Sequence, residues 1–325
     1  MQYINISLPK IVTARDIHVR DLFQLIKDRV ARCEDDNVFN FLTDKKIKKI
    51  LNDDPEHLHT LQVQFFENVI PNFSIRDRND YANITRTKNF TQEELRLKGI
   101  FDNIYKELER IFNYENFLQK KVRTYCAYSL ADNLDIPTCV YCNRIYTKTV
   151  SKTKKITRPT FDHWYPKSKY PMLALSFYNL IPSCYICNSG VKGDIDFNLD
   201  SHFHPYNFNP DFKYTFSYDH KDYSKFSFKI VTEPEDSFSE KSVKAFELEE
   251  IYKAHEDEIE DLRHIRDAYT EDYISLLENQ ILKMPLDRKD VYRLAFGVHY
   301  DDSKFDRRPL SKMKKDILKE LGIKI

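Results

Sequence analysis

The sequence predicts an α+β fold that is mainly α, with a small cysteine-stapled unit at its centre and helical regions on either side. Three observations carry this expectation. Apolar residues recur at helical spacing through the first 135 residues. Two CxxC pairs, separated by 41 residues, fall in a stretch dominated by turn and strand formers. A second helical pattern sets in at about Lys241. The chain divides accordingly into 1–135, helical; 136–210, the cysteine-bearing core; and 211–325, short strands followed by helices.

In the first region Val19, Leu22, Phe23, Ile26 and Val30 share one helical face. The stretch Ile75 to Thr91 is polar and aperiodic and reads as a loop. Thr91-Gln92-Glu93-Glu94 has the capping-box form, in which the Thr hydroxyl and the Glu carboxylate satisfy two orphan N–H groups. Leu97, Ile100, Phe101, Ile104, Leu108, Ile111 and Phe112 then form an apolar stripe. In the last region, aromatic and β-branched residues alternate with polar ones from Phe212 to Thr232, which predicts two short strands. One long helix is expected from Lys241 to Lys283, stopped by Pro285, with a stripe of Leu248, Ile251, Tyr252, His255, Ile259 and Leu262. Its acid-rich start, with 12 acids and 3 lysines over 233–261, reads as a solvated face. Val291 to Ile325 is expected to be helical around a turn at Arg307-Arg308-Pro309.

Composition removes several function classes. Only five of 325 residues are glycine: Gly99, Gly190, Gly193, Gly297 and Gly322. Neither GxGxxG nor GxxxxGK[ST] can be written from them, which argues against an ATPase and a dinucleotide enzyme. Basic and acidic residues balance at 51 each, so any basic surface must be local. It is: residues 138–200 carry nine basic against four acidic residues, a local +5 within a −5 remainder. A hydrophobic content of 41% excludes a disordered chain. No run of 18 apolar residues predicts a membrane span, and Met1 to Lys10 lacks a signal-peptide pattern, so a cytoplasmic protein is expected. Six cysteines in that compartment read as metal ligands or free thiols.

Cys139-Val140-Tyr141-Cys142 and Cys184-Tyr185-Ile186-Cys187 are the informative four. A two-residue spacer lets one turn present two thiolates to one ion, and two such knuckles close a tetrahedral structural zinc site. Cys33 and Cys126 have no such partner and are expected as small buried hydrophobes.

Between the knuckles lies Phe161-Asp162-His163-Trp164-Tyr165-Pro166-Lys167-Ser168, then Phe177-Tyr178-Asn179-Leu180-Ile181-Pro182; Cys187-Asn188-Ser189-Gly190-Val191-Lys192-Gly193 leaves the second one. An imidazole that accepts a proton near neutral pH suits a general base, and Asp162 and Asn188 offer the hard oxygens that Mg²⁺ or Mn²⁺ prefer. Lys167 and Lys192 are candidate phosphate contacts. Lys148 to Arg158, with five basic residues in eleven positions, is expected as a hairpin or loop over a nucleic-acid backbone. His202 and His204 are read as surface histidines before ligands.

With Asp162-His163, Asn179 and Asn188 set among CxxC knuckles, the segment 138–195 resembles the HNH endonuclease family, whose final position is Asn here instead of His. The resemblance implies a ββα-metal (treble-clef-like) unit that hydrolyses nucleic-acid phosphodiester bonds, with DNA the expected substrate. It implies His163 as the base that deprotonates the attacking water. Asp162 and Asn188 would ligate one catalytic Mg²⁺ or Mn²⁺, which polarises the phosphate and stabilises the leaving 3′ oxygen. Asn179 would hold the base-bearing loop by hydrogen bonds. The core also resembles nuclease subunits of bacterial antiphage defence systems, which implies an ABC-type ATPase partner or a homo-oligomer. The competing expectation is a four-cysteine zinc module that binds nucleic acid without cutting it.

Overall fold

A computed structural model describes residues 1–118, 125–151, 155–221, 225–232, 237–268 and 288–323. The fold is α+β and mainly α, with three separate two-stranded antiparallel sheets among the described residues.

The N-terminal region is helical throughout. α1 (Pro9–Val30) starts on a proline, whose fixed φ and missing N–H suit a first helical position. Its buried face holds Leu22, Ile26 and Val30 as expected, with Val19 and Phe23 at the margin and His18 unexpectedly inside. α2 (Asp36–Phe41) and α3 (Asp44–Asn52) are capped by the side chains of Asp35 and Thr43. α4 (Pro55–Val69) buries Leu58, Leu61, Phe65 and Phe66. α6 (Gln92–Ile111) begins with the Thr91–Glu94 capping box, and both of its reciprocal hydrogen bonds are present. α7 (Tyr114–Leu118) and α8 (Ala127–Leu134) complete the region.

One expectation fails here. The stretch from Ile75 is not all loop: α5 (Ile75–Ala82) forms behind a Ser74 N-cap. It has no apolar stripe to announce it, because its one buried residue is Arg78, packed 4.2 Å from the Tyr170 ring. An ion pair from Arg96 of α6 to Asp77 adds support at 2.7 Å.

The core region brings β1 (Val150–Ser151) against β2 (Lys155–Thr157), so the basic stretch does form a hairpin; Lys152 and Lys154 lie outside the described residues. β3 (Thr160–His163) pairs antiparallel with β4 (Leu180–Ser183) in the register Asp162↔Ile181 and His163↔Leu180. Beyond β4 the chain makes one π-helical turn, Ile186–Lys192, closed by Gly193 N–H to Asn188 C=O at 2.8 Å. Gly193 ends it at φ +51°, a conformation that favours glycine.

β5 (Tyr214–His220) and β6 (Phe226–Thr232) are the two expected strands. The long helix is not one helix. α9 (Ser237–Ala245) and α10 (Leu248–Tyr252) are divided at Glu247, whose φ is +45°, and α11 (Asp257–Ala268) comes after a 3₁₀ turn; the expected continuation to Lys283 and the stop at Pro285 lie outside the described residues. The break delivers two aromatics to the cysteine-bearing core: Phe246 stacks on Tyr141 at 4.0 Å, and the Tyr252 hydroxyl donates to the Cys142 carbonyl. The C-terminal part is helical in pieces, α12 (Arg288–Phe296), a 3₁₀ helix over Asp302–Arg307, and α13 (Ser311–Glu320). Asn143 anchors it, with Nδ2 donating to the Phe305 carbonyl at 2.8 Å and its own carbonyl accepting from Leu310 N–H at 2.7 Å.

Buried apolar side chains form one cluster that runs through all three regions, from Met1 to Leu318. Among the described residues no helix is long and apolar enough to cross a membrane.

Candidate active site and cysteine cluster

Cys139, Cys142, Cys184 and Cys187 converge, all buried, with their sulfurs within 4.8 Å of one another. All four thiols are free. A tetrahedral zinc with bonds of about 2.3 Å needs sulfurs about 3.8 Å apart, and Cys142 and Cys184 lie at 4.0 Å. The cluster therefore fits a metal ion such as zinc. Turn geometry builds it: Asn143 takes φ +52°, which Asn tolerates, and folds its N–H back to the Cys139 carbonyl at 2.8 Å. The four thiols titrate as one set: hydrogen bonding from the other three pulls Cys184 below its ordinary value, while Cys139 and Cys187 are pushed up. Cys33 and Cys126 stand outside the cluster; Cys126 is buried and Cys33 half-buried.

Asp162 and His163 end β3, whose antiparallel partner β4 leads into Cys184. His163 is 9% exposed, and its Nε2 lies 3.0 Å from the Ala174 carbonyl oxygen. A carbonyl only accepts, so Nε2 carries the proton and Nδ1 keeps the lone pair. The Tyr114 ring meets the imidazole edge to face at 4.5 Å. Burial lowers the His163 pKa to about 3, so the ring is neutral at physiological pH.

Asn179 is fully buried and uses the whole amide. Its Oδ1 accepts from Tyr165 N–H at 2.7 Å, and its Nδ2 donates to the carbonyls of Tyr165 at 3.1 Å and Leu173 at 3.0 Å. It thus clamps the loop that leaves His163. Three successive carbonyls are captured by three buried side chains: Leu173 by Asn179, Ala174 by His163, and Leu175 by His18 Nε2 at 2.8 Å.

Asp162 is engaged on both oxygens. Tyr141, from inside the first knuckle, donates to Oδ2 at 2.6 Å, and Lys192 Nζ lies 3.2 Å from Oδ1. Burial raises the carboxyl pKa, against which Lys192 and Tyr141 hold it down. Asn188 sits half-buried in the π turn, and no hydrogen bond to its side chain is seen among the described residues. A carboxylate already bound to a hydroxyl and an ammonium is not an assembled divalent-ion site, and among the described residues the four thiols alone form a group of three or more His, Cys, Asp or Glu donors. This arrangement therefore gives no support to the catalytic Mg²⁺ or Mn²⁺ expected at Asp162 and Asn188.

Lys192 corrects another expectation. It is 1% exposed and donates to the His163 carbonyl at 2.8 Å, so it faces no solvent and meets no phosphate. Lys167 is on the surface, paired with Glu115 and 5.5 Å from the Tyr114 ring. His204 is buried against Trp164 at 4.7 Å, not on the surface, and His202 is half-buried and stacks on Phe197 at 4.5 Å; neither joins the cysteine cluster. Sequence reasoning missed Tyr114, Tyr141 and the Ala174 carbonyl. Tyr141 lay between two predicted ligands, but nothing in residue type marks a backbone carbonyl. Comparison with family models, with curated proteins and with solved structures finds no match to this chain.

Proposed function

We propose that the chain is an HNH-type endonuclease that hydrolyses nucleic-acid phosphodiester bonds, with His163 as the general base and DNA as the substrate class. The observation that supports it is the His163 tautomer: Nε2 is tied to Ala174, which leaves Nδ1 unprotonated and with its lone pair, at the end of a strand whose partner β4 runs into the four-thiol cluster. Zinc in the cluster would be structural, since four thiolates leave no open position. Lys167 and the basic hairpin of β1 and β2 supply surface charge for a phosphate backbone. The resemblance adds a bacterial defence role in the cytoplasm with an ABC-type ATPase partner, which co-purification from the native host tests.

The decisive experiment incubates zinc-loaded protein with supercoiled plasmid and with single-stranded RNA, in Mg²⁺, in Mn²⁺ and in EDTA. Cleavage by the wild type and its loss in His163→Ala is the expected result; equal cleavage by both removes His163 as base. A second reading is a zinc module that binds nucleic acid without cutting. The engaged state of Asp162 favours it, because both carboxylate oxygens already hold a donor, Tyr141 on one and Lys192 on the other. Retention of duplex by the wild type with no product under any metal condition, ATPase partner present, selects that reading.

A further inference from the structure

Lys192 is buried more completely than any other charged side chain among the described residues that the fold places near Asp162 and His163. Lysine is almost never fully buried without a partner. Here one ammonium has two: the Asp162 carboxylate at 3.2 Å and the His163 carbonyl at 2.8 Å. It also sits 5.0 Å from the Phe197 ring face. Adjacent residues of a strand point to opposite faces, and these two do find different neighbours: Asp162 meets Tyr141 of the first knuckle, and His163 meets Tyr114 of α7. Lys192 closes the π turn, and it binds the side chain of one residue and the backbone of the next. The turn itself is rooted in the second knuckle, through Cys187. The ammonium therefore ties the end of β3 to the thiol cluster.

We infer that Lys192 is the positioning residue of the site, fixing the strand end that presents His163 and holding the Asp162 carboxylate in place, and that it makes no contact with nucleic acid. This rests on the endonuclease reading. A positioning error of about 1 Å at a reacting group costs on the order of 10²-fold in rate, so the role is visible in kcat.

The test compares wild type, Lys192→Met and His163→Ala in single-turnover cleavage of a duplex, together with the salt dependence of duplex binding. Lys192→Met is expected to lower kcat on the order of 10²-fold with KM within about twofold and an unchanged slope of log Kd against log salt. A phosphate-binding lysine would instead reduce that slope by about one and leave kcat intact; that outcome overturns the inference. Nitrogen NMR of the histidine rings gives a readout without substrate. The wild type is expected to show His163 as the Nε2–H tautomer, and Lys192→Met a tautomer mixture; an unchanged His163 signal in the variant also overturns the inference. If Lys192→Met does not fold and hold its metal, Lys192→Arg carries the comparison. Its guanidinium keeps the charge but cannot place a single nitrogen between both acceptors, so a kcat loss with an unchanged salt slope is again expected, and full activity counts against positioning. Failure of the endonuclease reading is distinct, because then wild type and His163→Ala behave alike.

Discussion

The imidazole of His163 and the carbonyl of Ala174 lie 3.0 Å apart, with the Tyr114 ring closing over the imidazole at 4.5 Å. The hydrogen bond fixes the tautomer; the aromatic contact fixes the ring's tilt. Only the ring of Tyr114 is used in this, so Tyr114→Phe should cleave like the wild type. On the proposed endonuclease reading, Tyr114→Ala should lower kcat about tenfold, a fraction of what His163 would contribute as base. Matched single-turnover rates decide it. A loss in Tyr114→Phe equal to that in Tyr114→Ala would show that the hydroxyl, not the ring, matters.

The cysteine cluster gives a prediction independent of catalysis. Elemental analysis of purified protein should find about one zinc per chain. Cys139→Ser should lose it, whereas Cys33→Ser and Cys126→Ser should keep it, since both lie outside the group of four. Structural zinc is worth on the order of 10 kcal/mol in small domains, comparable with a whole fold's stability. A strong chelator should therefore lower the unfolding temperature sharply. Stoichiometric zinc in Cys139→Ser would remove the site as assigned.

How much of this is legible in the sequence depends on what each feature is made of. Cysteine spacing announces a four-thiol cluster because the chemistry requires those residue types. Asn179 is readable as a clamp only through the resemblance; its residue type alone does not show that the amide is used in full. Lys192 misleads because lysines are mostly exposed, and no pattern in Ser189-Gly190-Val191-Lys192 signals the carboxylate waiting for it. Helix α5 escapes because its buried residue is Arg78. The supposed long helix looks continuous because Leu248, Ile251, Tyr252, Ile259 and Leu262 keep helical spacing across the 3₁₀ turn after Tyr252, and only the backbone reveals that turn and the earlier break at Glu247.

His18 makes the fold sensitive to acid. It is fully buried, with Nδ1 3.0 Å from the Tyr125 hydroxyl and Nε2 bonded to the Leu175 carbonyl. Burial lowers its pKa from 6.5 to about 4. Between those values the unfolded ring binds a proton and the folded ring does not, so stability rises with pH across the window and is fully present above 6.5. The linkage amounts to about 3 kcal/mol lost by pH 4. Urea midpoints measured from pH 7.5 down to pH 4.5 should fall accordingly. In His18→Gln the protein should be weaker at pH 7.5 but fall less steeply; an identical slope in the variant would show that His18 does not titrate on unfolding.

Asn179→Asp tests the clamp with almost no change of shape. The amide's three hydrogen bonds comprise one accepted from Tyr165 N–H and two donated, to Tyr165 and Leu173 carbonyls. A carboxylate can only accept, so both carbonyls lose their donor and a charge is buried beside them. Each stranded buried group costs about 1–3 kcal/mol, which puts the variant about 3 kcal/mol or more below the wild type in urea unfolding. Protonating the new carboxyl restores one donor of the two, so the deficit should narrow as pH falls from 7 to 5. The Leu173 carbonyl adjoins the Ala174 carbonyl that holds His163, so cleavage should fall along with stability. A variant as stable as the wild type at pH 7 would mean that the loop leaving His163 is held by something other than this amide.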